Sequence, residues 1–282
     1  MIKNYIRIAL RNLWNKRLYS GINIMGISIA VAFSMLVYMY MQQENSFDTF
    51  HRNGGRLYRL EATSLFDLGD NNKTKKSFFS FLMDAGNSTR NMLSHPFVLA
   101  DDIKNNLPEI EAVVRSQGNS NAVFWYNGQS YKMEEKKVVY TESNFFTIFD
   151  FPLKQGNAAQ VLGKPGNIVI NERTAQRFFG NADPIGKTIS LTAPNGKNFI
   201  VAGVARNFPL NSSYDFDIVM PLEAHPSHLE NMADRSNNHF NYSAILLLKR
   251  NTNLQAFQKK LTAFSKNYFA AVLKEWQEQD PN

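Results

Sequence analysis

The dominant feature of the hydropathy pattern is a run with no charged side chain, Leu18 to Met41, LYSGINIMGISIAVAFSMLVYMYM. Gly21 to Met41 alone is 21 residues, roughly 31 Å as an α-helix, about the thickness of a bilayer's hydrocarbon core. Residues 18–41 therefore predict a transmembrane helix. Upstream, Ile2, Ile6, Ala9, Leu10 and Leu13 recur at spacings of three and four, while Lys3, Arg7 and Arg11 repeat every fourth residue. Residues 1–17 read as an amphipathic helix lying in the headgroup layer, with Trp14 and Tyr19 at the interface. Inside the span, Gly26, Ala30 and Ser34 fall at four-residue intervals, a small-residue stripe that lets another membrane helix approach closely.

Beyond the span the helical pattern continues through QQENSFDTFHRN and is expected to stop at Gly54-Gly55, so residues 42–56 read as a stalk helix and linker. Residues 57–276 then alternate strand and helix signals. RLYRLEAT and SFFSFLMDA read as strands around a polar loop, and Pro96 to Leu107 as a helix ending before Pro108. EIEAVVRSQ is a strand. AVFWY and QSYKME form a hairpin about Asn127-Gly128, the strongest short turn signal in the chain. KKVVY is a strand and SNFFTIF a short helix with Ser143 or Asn144 as cap.

NIVIN runs into ERTAQRFFG, a helix closed by Gly180. KTISLTA and NFIVAGVARNF flank the turn Pro194-Asn195-Gly196, DFDIVMPL alternates as a half-buried strand, and NYSAILLLK is a long apolar strand. Leu254, Phe257, Leu261, Phe264, Tyr268 and Val272 mark an amphipathic helix to about Trp276, followed by a tail at residues 277–282. Strand runs interrupted by isolated helices indicate an α+β fold rather than a regular parallel α/β one.

Charge sharpens this picture. The formal net charge is +7, yet five basic residues (Lys3, Arg7, Arg11, Lys16, Arg17) and no acid precede Glu44, leaving 26 basic against 24 acidic residues in the rest. The basicity belongs to the membrane-proximal end, so nucleic acid is not indicated. Cations close to a span stay on the cytoplasmic side, which places the N-terminus inside and the bulk outside. With no cysteine, a disulfide framework, a thiol nucleophile and cysteine metal sites are excluded. Ala30-Val31-Ala32 resembles a signal-peptidase site, but nine largely apolar residues, Phe33 to Met41, would follow the cut. The run is also too long for a signal core, and an uncleaved anchor fits better.

No catalytic constellation emerges. Gly180 to Thr188, GNADPIGKT, resembles a phosphate-binding loop, but five residues separate the glycines and Lys187-Thr188 open a β-like run instead of a helix. His225 and His228, with Glu230 nearby, lack the helix and third ligand of a zinc site and read as solvated histidines. Asp215 and Asp217 share one strand face without an evident partner. The N-x-[ST] sequons at Asn72, Asn87, Asn211 and Asn241 matter only in a glycosylating secretory pathway. No cofactor and no metal are expected.

Three stretches together resemble one family. They are IRIALRNLWNKRLYSGINIMGISIAVA, then SFDTFHRNGGRLYRLE, then NIVINERTAQRFFGNADPIGKTISL with FIVAGVARNFPLNSSYDFDIVMPLE. The combination is similar to the extracytoplasmic core domain of MacB-like/FtsX-like ABC transporter permeases. That resemblance implies a porter-like part with an inserted lobe, in a bacterial inner membrane. It further implies a cytoplasmic ABC ATPase as partner, a homodimer or paired permease, an extracytoplasmic adaptor or lipoprotein, and transmission of movement rather than catalysis. Family members carry later spans, whereas no later run here exceeds AILLL of Ala244 to Leu248. The chain is therefore expected to be a segment of a longer permease or a truncated product, unable to transport alone. The residues expected to matter are mechanical: Gly26, Ala30 and Ser34 for helix packing, and Phe47, Phe50 and Tyr58 for docking the stalk. A membrane-anchored sensor or ligand-binding module is the alternative.

Overall fold

The structure, a computed structural model, describes residues 2–61, 95–119, 122–134, 137–191, 196–209, 211–233 and 242–279. It divides into two compact units. One holds Met1–Thr49 together with Pro209–Ser213, and the other holds Phe50–Phe208 and Tyr214–Asn282.

In the first unit, helix α1 (Ile2–Asn15) and helix α2 (Arg17–Asn45) are separated at Lys16, whose φ and ψ of −113° and 51° leave the helical region. Arg17 stacks its guanidinium 4.8 Å from the Trp14 ring and donates to the Trp14 carbonyl. Helix α2 is long and apolar enough to cross a membrane, and it buries none of its residues against the rest of the chain. It ends at Asn45, with Ser46 as C-cap. The uninterrupted stalk helix expected as far as Gly54 is therefore a correction: turns follow Asn45, Asp48 takes a left-handed φ of 56°, and Gly54–Arg56 is only a 3₁₀ turn.

The second unit is built on one mixed sheet, eleven-stranded among the described residues. In chain order its elements are β1 (Leu57–Arg59), α3 (Leu99–Asn106), β2 (Ile110–Asn119), β3 (Val123–Tyr126) and β4 (Gln129–Lys132). Then come β5 (Val138–Thr141), α4 (Phe145–Ile148), β6 (Leu153–Gln155), β7 (Asn167–Asn171), α5 (Glu172–Phe179) and β8 (Thr188–Leu191). Last are β9 (Lys197–Ala205), β10 (Ile218–Pro221), α6 (His228–Ala233), β11 (Ser243–Leu248) and α7 (Leu254–Gln279). The spatial order is β1-β11-β2-β5-β10-β7-β9-β8-β3-β4, with β6 on β9. The β5–β10 and β7–β9 pairs are parallel and the others antiparallel, so the sheet is mixed but mostly antiparallel, in keeping with α+β. The expected strand SFFSFLMDA and the residues Pro194-Asn195 lie outside the described residues.

Alternation along the strands sends neighbours to opposite faces. Ile168, Ile170, Ile218, Met220 and Tyr140 join one cluster with Phe178 and Phe179 of α5. Val169, Val219 and Val139 join an aromatic cluster on the other side. Helices α3 and α7 cover Leu246 and Leu248 through Ile103 and Phe257. Strand β10 is buried at every position rather than half-buried, because it lies mid-sheet with both faces covered. The hairpin follows its signal: Asn127 and Gly128 both have positive φ, 47° and 78°, the two left-handed residues of a type I′ turn. Helix α5 is capped by Asn171, whose side chain accepts from the Thr174 amide. Helix α4 begins after Asn144, but that side chain makes no capping bond, so the cap expected there is positional only.

Buried histidine gives the unit an acid sensitivity. His95 is 2% exposed, and its Nε2 lies 2.7 Å from the Leu60 carbonyl, which can only accept. Burial holds its pKa below the ordinary 6.5, against the raising effect of that bond, and burial likewise lowers His225. Below pH 6.5 the unfolded chain takes up protons that these rings refuse when folded, so stability is full above that pH and falls as pH drops toward the folded values. The lowered pKa values of Glu109, bonded to Lys260, and Glu172, bonded to Lys154, extend the loss below 4.5. The expected result is a urea midpoint lower at pH 5.5 than at 7.5, with a smaller difference in His95→Gln. Equal midpoints at the two pH values would overturn the assignment.

Candidate functional site

The residues that carry the chain into the sheet unit, Phe50 to Tyr58, are tied to it by several long-range bonds, and they are the candidate site. His51 is the centre. It is 5% exposed, with its ring 4.1 Å from Phe50, 5.3 Å from Phe149 and 4.9 Å from Phe151. The Asp150 amide donates to its Nδ1 at 3.1 Å, which leaves the neutral ring's proton on Nε2. A histidine that seals an aromatic pocket and accepts a backbone bond is a plug, set by shape and by one directional contact.

The neighbours repeat the attachment. Asp150 takes the Arg52 amide on Oδ2 and the Arg52 Nε on Oδ1, both at 2.6 Å. The Arg52 side chain is 87% exposed, so its ion pair adds at most about 1 kcal/mol. The backbone bond to a largely buried carboxylate carries more of the fixation. Asn53 donates to the Ile148 carbonyl at 3.1 Å. Arg56 donates to Glu111 at 2.6 Å, to the Leu248 carbonyl at 3.0 Å and to Asn53 at 2.8 Å, joining the segment to β2 and β11. Tyr58 faces Leu246 across the β1–β11 ladder.

The pocket that receives His51 is built by helix α4 and the turn after it. Phe145, fully buried, packs on Phe146, Phe149, Phe151, Tyr214 and Phe216 at centroid distances of 5.0–5.8 Å. One turn of helix followed by an F-D-F sequence turns two phenylalanines inward and leaves Asp150 between them, where its amide meets His51 and its carboxylate meets Arg52. The arrangement offers attachment rather than proton transfer.

Of the docking residues expected from sequence, Phe50 and Tyr58 enter different clusters of the sheet unit. Phe50 joins the aromatic cluster, 5.9 Å from Phe151. Tyr58 packs instead against the cluster beneath α3 and α7. Phe47 is half-buried and belongs to the helix unit. Sequence reasoning missed His51, Arg52 and Asn53, whose partners lie near residue 150. A polar tripeptide at the end of an expected stalk helix gives no local sign of them.

In α2, Ala30 and Ser34 line one shallow groove with Ile27, Val31, Met35 and Tyr38, and Ser34 donates to the Ala30 carbonyl at 2.8 Å. A Cβ on Gly26 would meet nothing within 4 Å. The stripe is open along its length within this unit.

Other candidate chemistry is absorbed by the fold. Gly180, at φ 59°, closes α5 and donates to Gln176, Gly186 donates to the Val201 carbonyl, and Thr188 opens β8. These amides serve protein carbonyls, so the phosphate cradle is not formed. His225 and His228 are half-buried rather than solvated, in edge contact with Tyr140 and Phe97. Among the described residues no three metal-ligating side chains converge. Asp215 and Asp217 precede β10 and do have partners: Lys137 pairs with Asp215, while Arg173 and Asn171 reach Asp217 at 2.8 and 2.9 Å. The expectation of unpartnered carboxylates is corrected, since the cations come from the approach to β5 and the first turn of α5, far away in sequence.

Among curated proteins none matches. A domain of a permease protein from Porphyromonas gingivalis shares 20% identity over 62% of this chain and 71% of its own, with a TM-score of 0.52, which shows a common fold. The periplasmic region of MacB from Actinobacillus actinomycetemcomitans aligns at 17% identity, over 68% of this chain and 79% of that one, at a TM-score of 0.47. The family described as the MacB-like periplasmic core domain matches residues 20–264. An apolar helix leading into this mixed sheet, matched over most of its length, makes the chain a member of the MacB-like periplasmic core domain family, a component of ABC transporter permeases.

Proposed function

We propose that the chain is the anchored, extracytoplasmic part of a mechanotransmission permease, relaying movement driven by a cytoplasmic ABC ATPase subunit to work outside the membrane. The observation that carries this reading is the attachment of residues 50–58, which fixes the chain leaving the helix to the sheet by buried and backbone bonds. In this reading residues 1–17 lie on the inner face of the bacterial plasma membrane, residues 18–41 cross it, and residues 57–276 work outside as a porter-like part with an inserted lobe. The cations before Glu44 support that orientation. Gly26, Ala30 and Ser34 face a second permease copy or a paired permease, and an adaptor or lipoprotein receives the movement outside.

The test is assembly and coupling in the intact permease. The ATPase should co-purify with it, and Ala30→Phe should cut in-membrane cross-linking between permease copies by about tenfold, the scale of one packed helix contact. Absence of any ATPase partner together with unchanged cross-linking would sink the reading.

A further inference from the structure

The loop joining β9 to β10, described over residues 206–209 and 211–217, is held in two ways. Its feet belong to the sheet unit. On one side the Arg206 amide donates to Pro152, the Asn207 amide to Glu172, and Asn207 Oδ1 accepts from the Arg173 amide. Phe208 lies 5.0 Å from Phe151 and 4.2 Å from Phe216. On the other side Lys137 pairs with Asp215, and Asp217 takes Arg173 and Asn171 while its amide donates to Lys137.

The tip, Pro209–Ser213, groups instead with the helix unit. Asn211 Nδ2 donates to the Ser46 carbonyl at 2.7 Å, the Asp48 amide to the Asn211 carbonyl at 2.9 Å, and the Ser213 amide to Asp48 Oδ1 at 2.9 Å. Ser46 is the C-cap of α2. The last carbonyls of a helix have no intrahelical partner and are ordinarily capped locally or by water. Here the Ser46 carbonyl accepts locally from Thr49 Oγ1 at 3.0 Å and, in addition, from a side chain 165 residues away. Asp48 adopts its left-handed φ where both its amide and its carboxylate serve the loop.

We infer that residues 206–217 are a strap. Its tip grips the end of α2, Asp48 and Asn211 are its positioning residues, and through its feet any displacement of α2 reaches β9 and β10 in addition to the entry segment after Thr49. The grip is a property of the fold, whereas the relay of displacement rests on the permease reading above.

Two arms separate them. In the full-length chain in nanodiscs, hydrogen exchange of residues 46–50 and 211–213 should rise about tenfold in Asn211→Ala and in Asp48→Gly. Each removes a bond on the scale of one tenfold step or slightly less, and glycine keeps the positive φ. Asp48→Asn, which retains an oxygen acceptor, should stay close to wild type. Because exchange is read per segment, a general loss of protection in the sheet would be told apart from release of the strap. Unchanged exchange at 46–50 in both Asn211→Ala and Asp48→Gly would overturn the grip.

The second arm adds the partner ATPase and ATP. Wild type should show an ATP-dependent change of exchange in β9 and β10 that Asp48→Gly loses while ATP hydrolysis continues. A full response in Asp48→Gly would overturn the relay. If wild type itself gives no ATP-dependent change, the permease reading fails and takes the relay with it, and the first arm still decides the grip.

Discussion

Phe145→Ala is expected to cost about 3–5 kcal/mol of stability, the range for emptying an aromatic site in a close-packed core. The ring is fully buried and touches five other aromatic rings, so no single neighbour can move in to refill the space. Its helix is one turn long, and it has little length over which to redistribute the loss. Against a typical total of about 5–15 kcal/mol, that fraction is large. The effect should also reach the entry segment, because Phe149 and Phe151, which form the walls around His51, pack on Phe145. Thermal unfolding of the solubilised chain, with exchange at the Asp150 amide, would measure both. A change under about 1 kcal/mol would mean that the cluster repacks and that the His51 pocket is not set by this ring.

Arg115→Ala is the second large expectation, at about 3 kcal/mol near neutral pH, the low end for breaking a buried ion pair from one side. Arg115 is 9% exposed and holds three groups: the Phe97 carbonyl at 2.9 Å, Asp101 at 2.8 Å and Glu142 at 2.6 Å. Its guanidinium also lies 4.0 Å from the Phe97 ring centre. Burial pushes the Glu142 carboxyl above its ordinary 4.5, and Arg115 is the main influence holding it down. Without the cation that carboxyl rises further, so below its new pKa it is neutral and the deficit shrinks. Arg115→Ala should therefore be more damaging at pH 7 than at pH 5, and adding Glu142→Gln should return about 1–2 kcal/mol at pH 7. A deficit equal at both pH values and unrelieved in the double variant would show that packing, not charge, is what Arg115 supplies.

Much of the framework was legible because its signals are local. The charge-free run, the Asn127-Gly128 turn, the Asn171 cap and the Gly180 stop each act within a few residues, and each stands where its chemistry puts it. The end of α2 was not legible: Gln42 to Asn45 continue a helical pattern, and what accompanies the break is Asn211, distant in sequence. His51 was missed for the same reason, since its value lies in Phe149, Asp150 and Phe151. Strand β6, three residues on the rim of β9, is too short for alternation to register. The carboxylates of Asp215 and Asp217 looked unpartnered because Lys137, just before β5, and Arg173, in the first turn of α5, approach from distant parts of the chain.

The pairing of β1 with β11 has a consequence for biosynthesis. Leu57 meets Leu247, 190 residues later. At about 5–20 residues per second, roughly 10–40 s of translation separate the two strands. The segment that follows the apolar helix must wait that long for its ladder partner while the chain between is still being delivered. Apolar positions such as Leu57 and Leu60 then depend on whatever shields a nascent chain, and the sheet can close at this edge only after β11 has emerged.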